Sequence, residues 1–179
     1  MPTSSIRKPR VLIVYYSRTG NTAALAEGLA RATQGDLEKI SVLTPREGVL
    51  GYLFSGLEAT LQLESRILPP RRNPRDYDIV LIGSPVWNAA VSSPVRAYLE
   101  RVSGGLPHVG FFVTSGGGED KAVLEQMAVL AGKQPLGMLG LRERDLKGRF
   151  AVYLGEFWET VISAWERQAA SPAEQPLVT

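Results

Sequence analysis

The sequence contains no cysteine and only one histidine, His108. The first absence excludes disulfide frameworks, zinc–thiolate sites, iron–sulfur clusters and cysteine nucleophiles. The second excludes a metal site built from several histidines. Redox chemistry on this chain therefore has to come from a bound organic cofactor. No excess of one charge exists either: 20 basic and 18 acidic residues are interspersed, for a net charge of +2. The Arg71-Arg72 pair is local and no basic stripe follows it, so nucleic-acid binding is not expected. Long apolar runs are also lacking. The stretch at 11–16 is far too short to span a bilayer, and the polar, basic Met1–Arg10 segment leads into no signal-type run. The expectation is a cytoplasmic protein without membrane insertion.

What is present is an alternation of strands and helices. A length of 179 residues suits one domain, read here as residues 10–170 between a flexible N-terminus (1–9) and a flexible tail (171–179). Arg10–Tyr16 carries the continuous run VLIVYY, which suits a strand buried on both faces. Asn21–Thr33 places Leu25, Leu29 and Ala32 at helical spacing, and Asp36–Leu43 is a weaker strand. Leu50, Leu53, Phe54, Leu57 and Leu61 mark a helix face within a long connection, Pro45–Arg75, that ends PPRRNPR. Asp78–Gly83 is a buried strand. Ser93–Val102 is a helix that Ser93 can cap and Pro94 can start. Gly110–Ser115 is a strand, Glu119–Ala131 a helix, Met138–Leu141 a short strand, and Phe157, Trp158, Val161, Ile162 and Trp165 form the packed face of a last helix. Five such alternations predict a parallel sheet covered by helices on both faces. Ligands in such sheets bind beyond the carboxyl ends of strands, where strand order reverses.

Three loops at that edge are candidates. The first, Ser17-Arg18-Thr19-Gly20-Asn21-Thr22, joins a buried strand to a helix. Its hydroxyls, its amide and the N–H groups of the helix can converge on one anion, with Arg18 nearby and Gly20 allowing a tight turn. A helix cap needs only one such residue, whereas this loop has four in six positions. The second loop, Gly83 to Ala90, contains Ser84, Pro85, Val86, Trp87 and Asn88. Trp87 can either cover a flat ligand or pack beneath the loop, and Asn88 tolerates unusual backbone angles. The third, Thr114 to Asp120, holds Ser115, Gly116, Gly117 and Gly118. Its glycines would let backbone N–H groups approach a ligand; alone, they read equally as a flexible turn. The absence of Gly-Lys-Ser/Thr argues against a nucleoside-triphosphate loop, and the absence of G-x-G-x-x-G after the first strand argues against a dinucleotide fold. Ser84-Pro85 closes the third strand where a receiver domain would need an aspartate. His108, Arg71, Arg72 and Arg75 read as structural or solvated residues.

The stretch VYYSRTGNT resembles the phosphate-binding loop of the flavodoxin family, and GSPVWNAAVSSPV resembles its second FMN loop. The resemblance spans about Arg10 to Gln168. It implies a doubly wound α/β three-layer sandwich with a five-stranded parallel sheet of order 2-1-3-4-5. It also implies FMN held by Ser17–Thr22 at its phosphate and by Ser84–Asn88 and Ser115–Gly118 at its ring, with neither a metal nor a catalytic side chain. Many flavodoxins carry a tyrosine in the third loop. This chain does not, so Tyr52, Phe54 or a second subunit in a homodimer would have to cover the other ring face. The activity implied is an FMN-dependent oxidoreductase. It would take electrons from NAD(P)H or a reductase and pass them to a quinone, a small acceptor or a protein. A protein-to-protein electron carrier and a flavin-binding regulatory module without turnover are the alternatives. The sequence pI of about 9.0 departs from the strongly acidic shuttles.

Overall fold

A computed structural model of the chain describes residues 7–43, 66–117, 120–147 and 150–170. The expected helix face from Leu50 to Leu61, Tyr52, Gly118 and the tail from Ser171 lie outside those residues. Five strands run parallel in the order β2-β1-β3-β5-β6: β1 (Val11–Tyr15), β2 (Asp36–Lys39), β3 (Ile79–Trp87), β5 (His108–Ser115) and β6 (Pro135–Arg142). This is the expected 2-1-3-4-5 arrangement. A two-residue strand, β4 (Ala90–Val91), turns back antiparallel on the end of β3.

Side-chain alternation along the central strands builds two cores. Val11, Ile13 and Tyr15 of β1 face one way, together with Ile79, Leu81 and Phe112; against them lie α1 (Asn21–Thr33) and α4 (Phe150–Ala170). Leu12, Val14, Val80, Ile82, Val109, Phe111 and Val113 face the other way, against α2 (Ser93–Val102) and α3 (Asp120–Ala131). A strand covered on both faces has no polar side to show, and so its sequence reads as an unbroken apolar run. Trp158 and Trp165 pack within the α4 core, as expected.

Several boundaries differ from the sequence reading. The buried face of α1 runs through Leu25, Ala26, Leu29 and Thr33, and Ala32 is exposed. The i+4 step from Leu29, rather than the i+3 step, stays on the core face. Strand β2 stops at Lys39. Beyond it Val42 bridges antiparallel to Ile67, with Leu43 N–H on the Arg66 carbonyl and Leu68 N–H on the Ser41 carbonyl. The chain thus leaves the sheet and returns along its own path. The cap of α2 is Ser92, one residue before Ser93, and its hydroxyl bonds Ser84 rather than the helix.

At the opposite end of the sheet, Asp78 anchors the start of the described chain. Arg7 donates two hydrogen bonds to it at 2.8 and 2.6 Å, and the Arg10 N–H donates a third at 2.7 Å. The Arg7 hydrogen bond, joined by the Arg10 N–H, holds the Asp78 carboxyl below its ordinary value of 3.8, against the upward push of burial. A depressed carboxyl adds stability that is complete above its unfolded value and is lost as pH falls through the folded one. Thermal melts should therefore show an acid-side loss below about pH 3.8 that Asp78→Asn reduces. Identical acid profiles for the two proteins would refute the anchor.

Candidate functional site

Because β1, β3 and β5 are parallel, the loops that follow them emerge at one edge, where strand order reverses between β1 and β3. Loop one closes on itself. The Gly20 N–H donates to the Ser17 hydroxyl at 3.1 Å, and the Ala24 N–H donates to the Gly20 carbonyl at 2.9 Å. Gly20 is the N-cap of α1 with φ 99°, a left-handed conformation that suits glycine. No side chain caps this helix, and its first turn has no acid. Its first N–H groups therefore point into the loop with the positive end of the helix dipole behind them. Thr19 is exposed, and Arg18 and Asn21 are half-buried at the rim. Across residues 17–22 and 83–92, Arg18 is the only charged side chain.

Two hydroxyls of the expected phosphate set are buried and have partners within the chain. Ser17 is buried and shapes the turn. Thr22 is 1% exposed, and its Oγ1 lies 2.7 Å from Oγ1 of Thr114 at the end of β5. Thr22 thus ties α1 to the third loop and can offer a ligand its backbone N–H.

The second loop is a hairpin, which the sequence reading missed. Strand β3 continues through Pro85 and Val86 to Trp87, and Asn88 and Ala89 form the two-residue turn into β4. Both turn residues have positive φ, 47° and 57°, as a type I′ turn requires. The Asn-Ala pair hides this turn because the usual sequence signal is Asn-Gly. Trp87 is half-buried, and its ring stands perpendicular to that of Tyr16 at 5.6 Å between centroids. Ser84 is fully buried. Its Oγ lies 2.9 Å from the Ser92 hydroxyl, accepts the Ser92 N–H at 3.1 Å and donates to the Pro85 carbonyl at 2.8 Å. Its side chain therefore locks the hairpin base and does not face the rim.

In the third loop the Ser115 hydroxyl donates to the Gly117 carbonyl at 2.9 Å, while Gly116 and Gly117 are exposed with open space around them. A cleft of about 420 Å³ opens there, lined by Gly116, Gly117, Arg142, Glu143 and Arg144. Sequence reading missed these last three because it ended β6 at Leu141, one residue short. Arg142 pairs in register with Ser115. His108, by contrast, opens β5 opposite Ile79, at the far end of the sheet from all three loops. Among the described residues no group of acids and histidines could hold a metal ion. No helix is long and apolar enough to cross a membrane among those residues.

The fold has counterparts among solved structures. A flavoprotein from Lactobacillus acidophilus, solved in complex with FMN, superposes with a TM-score of 0.64 at 24% identity, covering 77% of this chain and 95% of that one. A candidate flavoprotein from Bacteroides eggerthii gives 0.64 at 26% identity over 84% and 98%. The rubredoxin oxygen:oxidoreductase of Desulfovibrio gigas gives 0.61 at 17% identity over 90% of this chain and 37% of that longer one. No curated protein matches the sequence. The sequence model of the flavodoxin family matches residues 10–133, and the chain belongs to that family.

Proposed function

We propose that this chain binds FMN at the edge formed by its three loops and works as an electron-transferring oxidoreductase. The observation that carries the reading is the start of α1: a helix end with no side-chain cap, flanked in sequence by Thr19 and Asn21, with Arg18 the one charged residue of the 17–22 loop. A phosphate monoester fits that donor set, because several N–H groups and a dipole face it at once. The half-buried Trp87 offers aromatic surface for a planar ring, and the open backbone at Gly116–Gly117 leaves room for the ring's polar edge. Support for FMN also comes from the Lactobacillus acidophilus flavoprotein, whose structure holds it.

When bound, FMN would supply the one- and two-electron chemistry. The residues of the chain bind and orient. Thr19, Asn21 and the first-turn N–H groups of α1 hold the phosphate. The Asn88–Ala89 turn and Gly116–Gly117 present backbone groups to the ring, and Trp87 excludes water from one face. Hydride and electron transfer need positioning more than proton shuttling, so the lack of a histidine at this edge is no obstacle. The basic pI favours an enzyme over an acidic one-electron shuttle.

The test is a fluorescence titration of the apoprotein with FMN. Thr19→Ala combined with Asn21→Ala should weaken binding by roughly 100-fold or more, since each charge-assisted hydrogen bond contributes about 1.5–3 kcal/mol and every 1.4 kcal/mol is tenfold. Unchanged affinity would remove the phosphate-loop assignment. Rapid anaerobic bleaching of the flavin by NADPH or NADH would support direct reduction by a nicotinamide. A bound flavin that stays oxidised would point to a donor protein.

A further inference from the structure

The hairpin carrying Trp87 is built against its own local preferences. Asn88 accepts a left-handed conformation readily, but Ala89 at φ 57° does not, because its Cβ crowds the following carbonyl. The turn is also only two residues long, and the strand that completes it, β4, has two residues. Such a turn persists only where its surroundings over-determine it.

Those surroundings include one side chain from a different element. Gln126 lies in the middle of α3, half-buried, facing the hairpin. Its Oε1 accepts the Val91 N–H at 3.4 Å, and its Nε2 donates to the Ala89 carbonyl at 3.4 Å. One amide group thus holds two backbone groups, one on the turn and one on the strand that leaves it. Both bonds demand the same orientation of that amide, so the pair is mutually consistent. Val91 is buried beside it and packs Val86 and Trp87 onto the α2/α3 core.

We propose that Gln126 is a positioning residue for the ring face of the site. It fixes the Asn88–Ala89 turn, and through it Trp87, from the helix that follows the third loop, about two turns beyond that loop's end. The inference rests on the reading that the hairpin meets a planar cofactor. Gln126 does not touch the ligand; it acts by holding the turn in the conformation that Ala89 alone disfavours.

The experiment compares the wild-type protein with Gln126→Leu, which keeps the volume and removes both hydrogen bonds, and with Gln126→Glu, which keeps only the acceptor. Each is titrated with FMN, with riboflavin and with inorganic phosphate as competitor. For Gln126→Leu, FMN and riboflavin affinity should both fall about tenfold, as expected from two weak hydrogen bonds, while the phosphate inhibition constant stays within twofold. Gln126→Glu should lose ring affinity too, because its carboxylate meets the Ala89 carbonyl. FMN affinity unchanged within twofold in Gln126→Leu would overturn the proposal. So would a parallel loss of phosphate and ring binding, which marks general destabilisation. If the wild type binds no FMN, the cofactor reading fails on its own. The clamp is then judged by amide exchange in the apoprotein: selective acceleration at Ala89, Ala90 and Val91 in Gln126→Leu supports it, and unchanged exchange overturns it.

Discussion

Gly83→Ala is expected to destabilise the protein by about 3 kcal/mol, a large overpacking effect for one methyl group. Gly83 sits opposite Phe112 in the register of β3 and β5, and a Cβ there would fall 2.2 Å from two ring carbons of Phe112. That ring is completely buried beneath the α1/α4 layer and has nowhere to swing. The expected relief is specific. Phe112→Leu alone should cost roughly 1–3 kcal/mol through the volume it empties. The double variant should be more stable than the sum of the two predicts, by about 1–2 kcal/mol, because each change makes room for the other. Urea unfolding of the four proteins closes the cycle, and strict additivity would mean that the ring does not occupy the space over Gly83.

A second large effect is expected at Glu38. Its side chain is nearly buried, and its two carboxylate oxygens accept the N–H groups of Arg71 at 2.8 Å and Arg72 at 3.0 Å. Two adjacent backbone donors from the returning chain are thus satisfied by one β2 residue. Glu38→Ala should cost about 3 kcal/mol by leaving both without a partner. Glu38→Gln should lie between, since an amide keeps one accepting oxygen and sets an N–H₂ against the other donor. The carboxylate also bears on a neighbour. Burial first, and Glu38 second, push the Tyr98 hydroxyl's pKa up from its ordinary value. Chemical denaturation measures the stability, and amide exchange at Arg71 and Arg72 locates the loss. A change below about 0.5 kcal/mol in Glu38→Ala would refute the clamp, being no more than an ordinary surface substitution gives.

The parts of the fold that sequence reasoning reached are those in which one physical signal dominates. Residues 11–16 announce a doubly buried strand by an unbroken apolar run, and α1 and α2 emerge with their observed limits. The strand order followed from the resemblance of two loops to a family. What escaped was whatever depends on partners distant in sequence. Glu38 lies in a strand that the sequence marks only weakly, and its partners Arg71 and Arg72 are 33 and 34 residues away. Nothing in the sequence around Thr22 announces that its hydroxyl meets Thr114. The hairpin at Asn88–Ala89 lacks the glycine that would advertise it, and Gln126, which steadies it, sits in a helix with no motif of its own. Arg142–Arg144 border the third loop only because β6 pairs with β5 in that register.

The Thr22–Thr114 contact bears on how a ligand would be received. Two hydroxyls 2.7 Å apart pin the head of α1, the helix that follows β1, to the tail of β5, and β1 and β5 flank β3 in the sheet. The span between the first and third loops is therefore fixed when the chain folds. A ligand that reaches both need not draw them together, and its association carries little of the ordering entropy that two independent loops would impose. A site at this edge would be a gauge of set width: molecules too short to bridge it would hold one end only, and those that match it would engage both ends at once.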